Sequence, residues 1–142
     1  MDLHIFNILE AIVYQPKNST YAIRIASKRR DLEEHLLQPS GFYTIVEYLF
    51  HDVDPAFSKN DSLIFDEPLA QKILDDFKQQ GLGKETLLVH CMQGENRSPA
   101  VAIALNEIYS LGHDTEELKK KFPEANWHVY KTLLKVAKEK EI

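Results

Sequence analysis

The one cysteine of this sequence lies in its most chemically suggestive segment. Cys91 follows the apolar run 86–89 and precedes a short polar stretch, Arg97 and an alanine-rich run. This order predicts a strand, a tight loop and a helix N-terminus, whose backbone N–H groups and dipole favour a bound anion. Arg97 adds a planar guanidinium that can bind two oxygens of one phosphate. We therefore expect an anion-binding loop around the sulfur.

The same surroundings give the sulfur a chemical role. A helix N-terminus and a nearby guanidinium favour the thiolate form of Cys91, which is the nucleophilic form of cysteine. Gly94, inside the loop, permits a backbone conformation or a close approach that a side chain would hinder. The alternative is that Cys91 is a buried thiol that only fills the core, as free cysteines often do.

The segment resembles the His-Cys-x5-Arg-Ser/Thr signature of the cysteine-based protein tyrosine phosphatases, and in particular the compact dual-specificity type and small bacterial phosphatase-like proteins. His90, Gly94, Arg97 and Ser98 stand around Cys91 where that signature has them, and the likeness extends over roughly residues 43–111. It implies a protein tyrosine phosphatase-like fold and a phosphocysteine intermediate on Cys91. It further implies that Ser98 assists the departing thiolate and that His90 orients the loop. The implied phosphate-binding residues are Cys91, Met92, Gln93, Gly94, Glu95, Asn96 and Arg97.

The reaction also requires a proton donor for the leaving group. In the family that the signature resembles, this donor is an aspartate on a loop after an upstream strand. Asp52 and Asp54 both follow the apolar run 43–51, and Asp52 is favoured because it comes directly off that run. Asp61 and Asp66 are farther along the chain. An Asp-rich turn without a catalytic role is the alternative for Asp52 and Asp54.

The loop interior indicates the substrate class. It contains no lysine or additional arginine, and Glu95 would repel a polyanion. We therefore expect a singly phosphorylated substrate, either a protein phosphotyrosine or phosphoserine/threonine or a small phosphomonoester. Asn96 before Arg97 is also reminiscent of RNA 5′-phosphatases. A pseudophosphatase that binds phosphorylated ligands without turnover stays open, and a sulfur transferase is disfavoured by the spacing to Arg97.

Composition places this chemistry in one ordinary domain. The chain has 142 residues with a net charge of −5, and 44% of them are hydrophobic. We expect a single phosphatase-like domain over residues 1–142 in the cytoplasm, with no cofactor or metal, no strong nucleic-acid signal and no membrane span. The sequence does not indicate an oligomeric state.

Alternating strand and helix patterns predict an α/β fold, with a central, mostly parallel twisted sheet flanked by helices. In such sheets ligands bind at the carboxyl ends of the strands, where Asp52 and Cys91 are expected. The predicted strands are 21–26, 43–51 and 86–89, and the predicted helices are 68–80, 99–111, 115–122 and 126–140. Residues 27–34 are expected to form a loop and a short helix, and the apolar start at 1–14 is interpreted as folded sequence.

Overall fold

The computed structural model describes residues 1–57 and 62–142 and shows a four-stranded sheet. The strands are β1 (Asp2–Phe6), β2 (Thr20–Ala26), β3 (Tyr43–Leu49) and β4 (Thr86–His90), in the spatial order β1-β4-β2-β3. All three pairings are parallel. The predicted α/β fold is confirmed, and the sheet within the described residues is entirely parallel.

Helices cover both faces of this sheet. The helices are α1 (Ile8–Val13), α2 (Arg29–Glu33), α3 (Glu67–Asp76), α4 (Arg97–Tyr109), α5 (Thr115–Lys121) and α6 (Trp127–Glu139). Side chains alternate along β2, so that Tyr21, Ile23 and Ile25 join the larger core with α3, α4 and α6. Ala22 faces the other side, where Ala11 of α1 and Leu37 complete a smaller cluster. None of the helices in the described part of the chain combines the length and the apolar run that crossing a bilayer requires.

Helix α4 is buried on all sides over its first ten residues, from Arg97 to Asn106. It begins at Arg97, two residues before the predicted start at Pro99. Pro99 is tolerated there because the first-turn N–H groups have no intrahelical acceptor, and proline lacks only such a group. The predicted end at residue 111 is also wrong: the helix ends at Tyr109, and Ser110 adopts the left-handed conformation with φ of 53°.

Other boundaries differ from the sequence prediction for identifiable reasons. β3 ends at Leu49 and not at residue 51, because its only neighbour within the described residues, β2, ends at the paired residue Ala26. Helix α5 ends at Lys121, one residue before the predicted end, and its N-terminus is capped by Asp114, whose side chain accepts from Glu117 N. The predicted helix 68–80 corresponds to two elements, α3, which ends at Asp76, and a π-helical turn that follows it directly, Phe77–Gly81.

Candidate active site

The loop between β4 and α4 curls around the sulfur of Cys91 at the carboxyl end of the sheet. Cys91 is buried, with an exposed fraction of 2%. The Gly94 N–H donates to Cys91 Sγ at 3.2 Å, and Ser98 Oγ lies 3.1 Å from the same sulfur. Two hydrogen-bonding groups therefore face the sulfur, and both can donate to a thiolate.

The loop rests on the connection between β1 and α1. Gly94 has φ of +76°, and a Cβ at this position would lie 2.7 Å from the backbone N of Asn7 and 2.9 Å from the carbonyl carbon of Phe6. The carbonyl of Met92 accepts from Ile8 N at 3.2 Å on the same connection. Glycine is therefore required at position 94 both for its left-handed backbone and for this close approach.

A cavity of about 170 Å³ opens above the sulfur and is lined by Asp52, Cys91, Met92, Gln93, Asn96 and Arg97. The backbone N–H groups of Met92, Gln93, Glu95 and Asn96 form no hydrogen bond within the part of the chain that the structure describes. At the start of α4, the N–H groups of Arg97 and Ser98 have no intrahelical acceptor. This combination of free N–H groups and a guanidinium suits a tetrahedral oxyanion.

Arg97 is held in place by the ends of two strands. Its Nη1 donates to Ser27 Oγ at 2.9 Å, just beyond β2, and to the Phe50 carbonyl at 2.8 Å, just beyond β3. The side chain is buried, yet it lines the cavity. Because both contacts use Nη1, the Nε and Nη2 donors keep no partner among the described residues and can bind two oxygens of one ligand.

His90 does not face the cavity but supports the loop from below. Arg24 Nε donates to His90 Nε2 at 2.9 Å, which places the ring proton on Nδ1. His90 Nδ1 lies 3.3 Å from the carbonyl oxygen of Cys91 and donates to it. Burial, followed by the charge of Arg24, lowers the pKa of His90 to about 4. His90 is therefore a neutral, oriented donor at neutral pH.

The structure separates the two aspartates that follow β3. Asp52 lines the cavity, and its Oδ1 accepts from Asn126 Nδ2 at 2.8 Å. The Asp54 side chain instead accepts from Ala56 N at 2.8 Å in a tight turn, and Asp54 does not line the cavity. Asp66 caps α3 by accepting from Leu69 N at 3.0 Å. Asp61 lies outside the described residues.

Two predicted loop residues have side chains engaged elsewhere. Glu95 is exposed and lines a neighbouring cavity with residues 121–124, not the cavity of Cys91. The Asn96 amide donates to the Glu124 carbonyl at 2.7 Å, and the Asn96 carbonyl accepts from Asn126 N at 2.9 Å. The α5–α6 connection is thereby joined both to the loop and, through Asn126, to Asp52.

Sequence reasoning missed the residues that support the site from a distance: Arg24, Ser27 and Asn126. Arg24 could have been noticed as the only charge in the strand segment YAIRIA, where a buried charge requires partners. Asn126 stands first in the last predicted helix, 126–140, and could have been noticed as its cap, because asparagine is a preferred N-cap residue. Ser27 carries no signal of its own.

Comparisons with known proteins give a likeness at the level of structure. The chain matches no protein-family model and no curated protein sequence. It is similar to a crystal structure of Tk-PTP in the active form, with 21% sequence identity, coverage of 79% of this chain and 76% of that chain, and a TM-score of 0.43.

Proposed function

We propose that this protein is a cysteine-dependent phosphatase that hydrolyses phosphate monoesters through a phosphocysteine intermediate. The observation that supports this most directly is that Cys91, Arg97 and Asp52 line the same cavity. Nucleophile, anion-binding groups and a carboxyl group converge there, as transfer of a phosphoryl group to sulfur requires.

In the first step, Cys91 Sγ attacks phosphorus, and the bond from phosphorus to the ester oxygen breaks. Arg97 and the free N–H groups of the loop bind the three non-bridging oxygens as their charge redistributes. The carboxyl group of Asp52 gives its proton to the leaving oxygen. The products are a phosphocysteine and a free alcohol or phenol.

In the second step, water attacks the phosphocysteine, and the phosphorus–sulfur bond breaks. The Asp52 carboxylate accepts the proton of the water as the oxygen–phosphorus bond forms. The departing thiolate receives hydrogen bonds from Ser98 Oγ and from Gly94 N–H, both about 3 Å from the sulfur. Inorganic phosphate leaves, and the free enzyme is regenerated.

For the substrate we propose protein phosphotyrosine, phosphoserine or phosphothreonine, as in a dual-specificity phosphatase. The cavity is small, and among the described residues that line it Arg97 is the one basic residue. A single phosphoryl group therefore suits it better than a polyphosphorylated headgroup. The Asn96 amide is committed to Glu124, so it gives no specific support to RNA 5′-phosphates as substrates.

Hydrolysis of p-nitrophenyl phosphate tests the proposal, with phosphopeptides, phosphoinositides and RNA 5′-phosphates assayed in parallel. We expect turnover by the wild type and a loss of at least about 10³-fold in Cys91→Ser. A wild-type reaction quenched in acid should show a phosphate adduct on the peptide that contains Cys91.

Three results would contradict the proposal. The first is full activity in Cys91→Ser. The second is activity that disappears with EDTA and returns with a divalent ion. The third is saturable binding of a phosphopeptide by the wild type without any turnover, which would identify a pseudophosphatase.

A further inference from the structure

A second groove, of about 490 Å³, runs along β1 at the outer edge of the sheet. Its lining includes four consecutive strand residues, 3–6. Successive side chains of a strand point to opposite faces, so a groove on one face would contact only every second residue. A groove that contacts four in a row therefore follows the edge itself and reaches the strand backbone.

Two hydrogen bonds establish which backbone groups of β1 face this groove. Asp2 N donates to the Glu85 carbonyl at 2.9 Å, toward β4, while the Met1 carbonyl accepts from His113 Nε2 at 2.8 Å on the opposite side. In a parallel ladder the N–H and C=O of one residue point to the same side, and successive residues alternate. Leu3 and Ile5 therefore direct their N–H and C=O groups into the groove, where the described residues provide no neighbouring strand.

The walls of the groove suit an extended peptide. Leu118 and Phe122 of the α5 region offer apolar surface, and Lys121 adds a positive charge. Glu10 of α1 provides an acidic group among the lining residues. In recognition by strand addition, main-chain hydrogen bonds supply affinity and pockets for alternate side chains supply specificity. Backbone groups that have no partner among the described residues, beside apolar and charged walls, meet both requirements.

The groove also adjoins the catalytic loop. Gly94 lines the groove, whereas Met92 and Gln93, one and two residues earlier, line the cavity above Cys91. Two residues of extended chain span at most about 7 Å. A peptide paired with β1 thus needs only a few further residues to bring a side chain over the sulfur.

We propose that β1 binds the protein substrate as an added strand, so that residues flanking the phosphorylated position pair with Leu3 and Ile5. This inference rests on the proposed phosphatase function and assigns its substrate class as extended phosphorylated segments of proteins. On this proposal, the small cavity lined by Cys91 binds the phosphoryl group, and the adjoining edge of β1 binds the flanking residues and supplies the specificity.

The first test uses the wild-type enzyme and one phosphopeptide with an extended flank. N-methylation of alternate amides on that flank removes donors and blocks pairing on one side of the peptide strand. Two peptides are compared, one methylated at the odd-numbered flank positions and one at the even-numbered positions. We expect one of these peptides to show a KM raised about ten-fold with kcat nearly unchanged, and the other to behave like the unmethylated peptide. Equal effects in the two peptides, or no effect in either, would overturn the proposal.

The second test changes the protein. Ile5→Pro removes an N–H that points into the groove and leaves the hydrogen bonds to β4 in place. Ile45→Pro is the matched control: Ile45 lies on β3, the opposite edge, and Thr20 N donates to the Phe42 carbonyl, so that odd-numbered β3 residues face outward. We expect a rise of about ten-fold in KM for the long phosphopeptide in Ile5→Pro only.

The p-nitrophenyl phosphate reaction separates this inference from the proposed function. If the wild type fails to hydrolyse that ester, the phosphatase proposal itself fails. If Ile5→Pro hydrolyses both substrates like the wild type, only the inference about β1 fails. A wild type that is dimeric by light scattering and becomes monomeric in Ile5→Pro, with unchanged peptide kinetics, would assign the edge to a second copy of the chain and overturn the proposal.

Discussion

Arg24 and His90 are direct partners across β2 and β4, and Arg24 Nε donates to His90 Nε2 at 2.9 Å. This bond leaves the histidine proton on Nδ1, from which it reaches the carbonyl of Cys91. Arg24 is itself anchored by the carbonyls of Leu32 and His35 and lies 3.6 Å from a carboxylate oxygen of Glu47. A buried cation in a central strand thus orients the first peptide group of the loop between β4 and α4.

We expect Arg24→Met to lower kcat about ten-fold while changing KM little, because His90 loses the partner that fixes its tautomer. Arg29→Met is the control, since exposed Arg29 contacts the same Glu47 at 3.2 Å but does not contact His90. Nitrogen NMR of the His90 ring should show a defined Nδ1–H tautomer in the wild type and a mixture in Arg24→Met. If Arg24→Met kept the wild-type His90 tautomer and only lowered the free energy of unfolding, Arg24 would have a purely structural role.

The low pKa of His90 makes stability depend on pH. Burial and Arg24 lower the pKa to about 4 in the folded protein, from a usual value of 6.5. Between these values the unfolded chain binds a proton that the folded protein does not, so stability is full above pH 6.5 and falls as the pH drops toward 4. From pH 7 to pH 5 we expect a loss of about 2 kcal/mol from this residue. Urea unfolding should show that loss in the wild type, and a His90→Gln variant with the same pH dependence would contradict it.

The sequence predicts the residues around Cys91 better than the distant residues that hold them in place. His90, Cys91, Arg97 and Ser98 come from one continuous strand-loop-helix segment, so their proximity follows from local structure. The supporting contacts join residues far apart in the chain: 66 positions between Arg24 and His90, and 74 between Asp52 and Asn126. Their proximity depends on strand order, which no local pattern specifies. Strand β1 was missed for a local reason: it has only five residues, and the apolar residues of α1 follow after one residue, so the segment 1–14 shows no single period.

Asp52 and Asp54 provide a matched pair for testing the general acid. We expect Asp52→Asn to lower kcat by about 10²-fold or more on phosphotyrosine peptides, because amides cannot donate a proton to the leaving oxygen. The loss should be smaller for p-nitrophenyl phosphate, whose leaving group needs less protonation. Asp54→Asn should stay near the wild-type value, since among the described residues the Asp54 side chain accepts from Ala56 N alone and does not line the cavity of Cys91. A greater loss in Asp54→Asn than in Asp52→Asn would reverse the assignment.

Asn126 has two roles that substitution can separate. Its Nδ2 donates to Asp52, and its Oδ1 accepts from Val129 N at the start of α6. Serine is also a good N-cap but is too short to reach Asp52, so Asn126→Ser should keep the helix cap and lose the contact to the acid. We expect a drop of about five-fold in kcat with an unchanged melting temperature. Asn126→Ala should in addition lose about 1 kcal/mol of stability. Equal kcat in the wild type and Asn126→Ser would show that Asp52 does not need this contact.

Gly94 and Gly83 have similar left-handed backbones but different surroundings. Gly94 has φ of +76° and Gly83 has φ of +92°, yet a Cβ at Gly94 would lie 2.7 Å from Asn7 N, while a Cβ at Gly83 would meet nothing within 4 Å. Gly83→Ala should therefore cost only the backbone penalty, about 1 kcal/mol of unfolding free energy, and leave activity intact.

Gly94→Ala should cost about 3 kcal/mol or more, because the loop must also move off the β1–α1 connection. That movement would carry the Gly94 N–H away from Cys91 Sγ, so alkylation of the thiol by iodoacetamide at neutral pH should slow as well. Equal stability and equal alkylation rates in the two variants would show that the packing of Gly94 on Asn7 does not shape the loop.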